Sequence, residues 1–150
     1  MDIILNQEYE ITNLISYPGH FTPTEYQKNL VEMMNIYKDY ALKSDGCIIT
    51  VTKSIEFVNG EQVMNVEILL PVNSYISVKE PYKFKDKIRL TNALYANVTD
   101  IARLQETLEQ VDRYIMENNL QPITSAYLVQ TKRDNTVCIE IYVGINPNIL

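Results

Sequence analysis

The chain has 150 residues, is 46% hydrophobic and carries a formal net charge of −6. That length supports one substantial core or two half-domains sharing one, and the apolar content excludes disorder. The acidic balance excludes general nucleic-acid binding, which needs a cationic surface to release counterions.

No run approaches the roughly 20 apolar residues that span a bilayer. Met1 to Asn6 lacks the basic and apolar regions of a signal peptide, so a cytoplasmic protein is expected. Glu8 to Ser16 alternates loosely through Tyr9, Ile11, Asn13 and Ile15, which predicts a strand breaking at Tyr17-Pro18-Gly19. Its parity stays open, because a bulge near Pro18-Gly19 would shift it. Thr22, Pro23 and Glu25 then form a helix start with a capping box. Tyr26, Leu30, Met33, Met34, Tyr37 and Ala41 recur at helical spacing to Lys43, and Asp45-Gly46 ends the helix. Cys47 to Val58 reads as a strand, Asn59-Gly60 as a hairpin turn, and a second strand carries Glu67 to Pro71-Val72.

Residues 73–82 form a polar linker, after which the pattern repeats. Phe84 to Ala96 is a strand with Ile88, Leu90 and Leu94 assigned to its core face. Asn97 or Thr99 caps a helix whose stripe is Ile101, Leu104, Leu108, Val111 and Ile115, ending at Asn118-Asn119. Ile123 to Thr131 is the next strand, Arg133-Asp134-Asn135 the turn, and a final strand carries Glu140. The run Val66 to Val72 returns as Ile139 to Ile145, 73 residues later, and Ile49-Thr50 is aligned with Ile123-Thr124. The chain therefore reads as one domain over 1–150, with repeats at about 8–72 and 83–146.

In both closing strands the alternation puts a glutamate opposite the core face. Val66, Ile68 and Leu70 face one way and Glu67 the other, as do Ile139, Ile141 and Val143 against Glu140 and Tyr142. The glutamates are either solvated residues on an open sheet or binding groups. In the second case, nearby rings such as Tyr142 and Tyr95 add cation–π attraction. Tyr127 has no fixed side, because its strand is apolar at both parities. Tyr26, Tyr37, Tyr40 and Tyr114 fall at helical positions and read as core or rim. Lys83, Lys85, Lys87 and Arg89 alternate along one strand as a solvated, edge-protecting row or an anion site. Cys47 and Cys138 read as buried strand residues and His20 as a turn residue, so neither a metal nor another cofactor is expected.

These features resemble the GyrI-like family, the effector-binding domain of bacterial transcription activators. The resemblance rests on Tyr17-Pro18-Gly19-His20-Phe21 and on closing strands of the form Glu-Ile-x-x-Pro-Val. Glu67 to Val72 fits that form, and Glu140 to Ile145 fits it with Gly144 in place of proline. More narrowly, the sequence resembles a Gram-positive branch found near type VII secretion toxin genes. The resemblance implies an α+β fold: two pseudo-symmetric β-α-β-β repeats form one antiparallel sheet, with both helices packed on one face. The opposite, concave face would hold an apolar or cationic ligand between the repeats, bound by Glu140, Tyr142, Glu67, Tyr95 and Tyr127. Two features depart from the family: there is no tryptophan and no helix-turn-helix segment.

A stand-alone small-molecule-binding protein is the leading expectation. A protein-interaction adaptor or chaperone docking its partner on the concave face is the alternative. A hydrolase of strained small molecules comes last, since no nucleophile–base pair or phosphate loop is visible. The oligomeric state stays open. Glu140 is expected to be more buried than Glu67, in a groove walled by Tyr95 and Tyr142.

Overall fold

The computed structural model describes residues 3–37, 47–133 and 136–147. Its elements are β1 (Ile4–Phe21), α1 (Pro23–Tyr37), β2 (Ile48–Val58), β3 (Glu61–Pro71), β4 (Lys83–Val98), a 3-10 turn (Ile101–Arg103), α2 (Leu104–Glu117), β5 (Tyr127–Arg133) and β6 (Thr136–Gly144). The expected Tyr40, Ala41 and Lys43, the helix end at Asp45-Gly46 and the turn at Asp134-Asn135 lie outside the described residues.

This is the expected α+β architecture of two β-α-β-β repeats, with one difference in shape. The sheet closes on itself in the order β1-β3-β2-β5-β6-β4. All six neighbouring pairs are antiparallel. Exchanging β1 with β4, β2 with β5 and β3 with β6 leaves that order unchanged, which is the pseudo-twofold of the repeats. The concave face expected to lie open is thus the inside of a barrel.

Three apolar clusters follow from this closure. Ile15, Val66, Ile68 and Leu70 pack outside, under Met33, Tyr26 and Leu30 of α1. Leu94, Ala96, Ile139, Ile141 and Val143 pack outside, under Val111, Leu104 and Leu108 of α2. Leu14, Ile49, Val51, Leu69, Ile88, Leu90, Val129 and Tyr142 fill the inside. Both helices therefore pack on the same, outer face of the sheet, and the glutamates of β3 and β6 point to the other.

Several local expectations are corrected by the pairing. β1 runs through Pro18-Gly19 instead of breaking there. Beyond Ser16↔Lys83 only β3 continues to pair with it, and an edge tolerates proline's missing donor. His20 accordingly lies in the strand, opposite Asn65. β1 changes face twice, near Asn6 (φ 59°) and Asn13 (φ 61°), because asparagine tolerates the left-handed region. Tyr9 and Ile11 consequently point inward, while Leu5 and Ile15 point outward. β4 changes face where Gln7↔Ala93 gives way to Tyr9↔Leu90, an extra residue on β4. Leu90 therefore faces the interior and Leu94 faces α2, so the two do not share a core face.

The capping box of α1 forms as expected. Thr22 N donates to Glu25 Oε1 at 3.0 Å and Glu25 N to Thr22 Oγ1 at 3.2 Å. Met34 is exposed, so the buried side of α1 runs through Tyr26, Leu30 and Met33. In the second repeat Asp100 is the cap, accepting from Ala102 N at 3.1 Å, in place of Asn97 or Thr99. That cap opens the 3-10 turn and leaves Ile101 exposed. The linker is tied down by Ile76, Val78 and Tyr82, which pack on the α1 cluster. β5 begins at Tyr127, four residues after the expected Ile123. In register, Ile49 opposes Leu69 as Tyr127 opposes Tyr142, so Tyr127 and not Ile123 corresponds to Ile49. The preceding segment binds the closing strand instead: Gly144 N donates to Thr124 Oγ1 at 2.9 Å. A Cβ on Gly144 would come within 2.9 Å of Thr124 Cγ2, which explains glycine where the first repeat has Pro71.

Candidate functional site

The two glutamates occupy equivalent places inside the barrel. Glu67 stands between Val51 of β2 and Pro18 of β1. Glu140 stands between Val129 of β5 and Asn97 of β4. Their environments differ in kind.

Around Glu140 the structure gathers tyrosines. Tyr142 donates its hydroxyl to Glu140 Oε2 at 3.3 Å. The Tyr142 ring stacks on Tyr9 at 4.4 Å between centroids and meets Tyr95 at 5.2 Å. The Tyr95 hydroxyl accepts from Asn97 Nδ2 at 3.2 Å. Burial raises the Tyr142 pKa, and the charge of Glu140 with its hydrogen bond adds to the rise. Tyr95 is raised by burial and by Glu140 against the lowering effect of Asn97. Glu140 itself is half-buried. Among the described residues no cation pairs with it.

Around Glu67 the structure gathers lysines. Lys85 Nζ lies 2.6 Å from Glu67 Oε2 and Lys53 Nζ lies 3.9 Å from Oε1. Ser16 Oγ donates to Oε2 at 2.6 Å. Burial pulls the Glu67 pKa upward, but the bonds from Lys85 and Ser16 and the two positive charges outweigh it. The carboxyl is held below its ordinary value. Glu67 is 6% exposed, so the expectation that Glu140 would be the more buried glutamate is reversed.

Of the five residues named from sequence, Glu140, Tyr142 and Tyr95 come together. Tyr127 belongs with Glu67: it opposes Val51, Glu67's neighbour, and its pKa is raised by burial and perturbed by Lys85 and Glu67. Tyr9 and Ser16 were not named as site residues, and Lys85 was named only within the basic row. The Asn6 and Asn13 positions signal the face changes that aim Tyr9 inward, whereas nothing in the sequence ties Lys85 to Glu67. The basic row does not share one face, for Arg89 pairs outward with Glu10 at 3.6 Å. Where an open groove was expected, the Tyr9–Tyr142 stack joins the apolar cluster that fills the barrel. Clefts occur instead on the helix side: about 400 Å³ between Leu30 of α1 and Leu104 of α2, and about 450 Å³ beside Leu108.

Comparisons with known proteins bear on the fold. No family model and no curated protein matches the sequence. Solved structures do match. The EcmrR C-terminal domain aligns with a TM-score of 0.63 at 16% identity, over 97% of this chain and 99% of that one. EcmrR in a DNA complex aligns with a TM-score of 0.67 at 14% identity, and this chain spans 57% of that chain's length. A hydrolase from Listeria innocua aligns with a TM-score of 0.53 at 10% identity, over 97% of this chain and 91% of that one. At these identities the likeness is one of fold. No helix among the described residues is long and apolar enough to cross a membrane.

Proposed function

We propose that the chain binds a small apolar cation at Glu140, on the tyrosine floor made by Tyr9, Tyr95 and Tyr142. The observation that carries this reading is the contrast between the two glutamates. Glu67 has its counter-ions, whereas Glu140 offers a solvent-reachable carboxylate beside aromatic rings and pairs with no described cation. A carboxylate beside aromatic rings supplies Coulomb attraction and a ring quadrupole together, the combination that selects an organic cation over a hydrated metal ion. The likeness in fold to the EcmrR C-terminal domain and the GyrI-like resemblance support it. Calorimetric titration with benzyltrimethylammonium tests it: wild type binds one equivalent, and Glu140→Gln weakens binding at least tenfold. Equal affinity in the two proteins, or no binding to wild type, rejects the reading.

This reading is one of binding without catalysis. Ser16, the hydroxyl nearest a carboxylate, is 1% exposed and already donates to Glu67, so it is not placed to attack a ligand. A second reading is protein interaction at another surface. The closed barrel leaves Tyr142 only 9% exposed, which gives a protein partner little of that ring to contact on the inner face. The β2–β3 hairpin instead presents Ile55 and Phe57, with Phe57 75% exposed, beyond the last β2–β5 pair. A Phe57→Ser variant that still retains one stoichiometric partner in pull-downs would reject that surface.

A further inference from the structure

Resting on the reading of Glu140 as a cation site, we propose that Glu67 is a latent second cation site, filled by the ammonium of Lys85. The barrel then takes one alkylammonium ligand where its symmetry provides for two. Lys85 is the specificity-determining residue.

The argument starts from the ladders. Pro71 and Gly144 are equivalent ends of the closing strands, and they oppose Leu14 and Ala93 respectively. Lys85 pairs with Leu14, and Gln7 pairs with Ala93, so Gln7 is the counterpart of Lys85 in the other half. Gln7 is uncharged, and its amide donates to Leu5 O at 3.1 Å. One half thus carries a cation on a four-carbon stem and the other carries none.

The remaining parts of the two sites correspond in chemistry. Each has a carboxylate on the inner face and a hydroxyl donating to it: Ser16 Oγ for Glu67 and Tyr142 for Glu140. Each has tyrosine close by, Tyr127 in the first and Tyr95 with Tyr142 in the second. An ammonium at 2.6 Å completes the first site. A bound organic cation completes the second in the same way. Lys85 reaches Glu67 from β4, with its side chain 43% exposed, so its removal opens a path from solvent to the carboxylate. Lys53, at 3.9 Å and on the other carboxylate oxygen, is the weaker partner and leaves the Lys85 position open to a ligand.

Titration of Lys85→Ala with benzyltrimethylammonium should give two equivalents per chain against one for wild type. Lys85→Ala/Glu67→Gln should return to one. Lys85→Ala/Glu140→Gln should also bind one, at Glu67, and this variant separates the two claims. If wild type binds none while that variant binds one, the Glu140 reading falls and the Lys85 proposal stands. If Lys85→Ala, folded by circular dichroism, binds no equivalent beyond wild type, the proposal is overturned. Should Lys85→Ala fold poorly, n-propylammonium should raise its melting temperature by binding the folded state, and should not raise that of Lys85→Ala/Glu67→Gln. Equal shifts in the two variants overturn the proposal as well.

Discussion

The two halves of the barrel place a glutamate at the same ladder position and then treat it in opposite ways. Glu67 is taken out of water and supplied with Lys85, Lys53 and Ser16. Glu140 keeps part of its hydration and is given tyrosine hydroxyls and ring faces. A buried carboxylate without a partner is costly, so burial and the lysine pair arise together in the first half. Partial exposure removes that requirement in the second, where no described cation pairs with the carboxylate. Backbone symmetry therefore does not carry symmetry of environment; the side chains on neighbouring strands decide it.

The largest test of the comparison concerns the residues beside the glutamates. Tyr142 and Leu69 are equivalent, both on the inner face and both buried. Tyr142→Ala removes a ring stacked on Tyr9 and leaves a cavity, so about 3–5 kcal/mol of stability should be lost, as for other large aromatic truncations. Urea unfolding measures this. A loss under 1 kcal/mol would mean that the tyrosine cluster is not part of the core.

Lys85→Met should cost less. A buried carboxylate that loses its only ion-pair partner costs more, but Lys85 is partly exposed, and Lys53 and Ser16 remain, so about 1–2 kcal/mol is expected. The pH dependence follows from the lowered pKa of Glu67. A carboxyl with a folded-state pKa below its unfolded value stabilises fully above the unfolded value, near 4.5, and loses that contribution as pH falls through the folded value. Wild type should therefore lose stability more steeply than Glu67→Gln below about pH 4.5. Parallel stability curves for the two proteins in that range would show that the lysine pair does not hold Glu67 ionised.

What the sequence revealed divides along the same line as the chemistry. Period-two alternation in Val66 to Leu70 and Ile139 to Val143 is local, and it placed both glutamates on one face, away from the helices. The repeat order, the capping box of Thr22 and Glu25, and the helix end at Asn118-Asn119 were legible for the same reason. Barrel closure was not, because the β1–β4 pairing joins residues far apart in sequence and depends on face changes near Asn6, Asn13 and the β4 bulge. Each change inverts the parity of the residues beyond it. Tyr9 and Lys85 were hidden by that inversion: both reach the interior from strands whose alternation, read straight through, gives no consistent side. The relative burial of the glutamates was hidden too, since it depends on Lys85 arriving from a strand that does not pair with β3.

The smallest expected effect on stability belongs to Glu140→Gln, and that smallness is itself the discriminating result. Glu140 is half-buried, its bond from Tyr142 is 3.3 Å long, and a glutamine oxygen can accept from the Tyr142 hydroxyl in its place. No described cation loses a partner when the charge is removed. Stability should therefore stay within about 0.5 kcal/mol of wild type, the range of a surface substitution. Binding of an organic cation should fall at least tenfold. A residue conserved in role by structure alone would behave the other way, costing stability and leaving binding unchanged. A variant with wild-type unfolding and a lost ligand isotherm assigns the Glu140 charge to recognition; one with lost stability places it with Glu67 in the frame of the barrel.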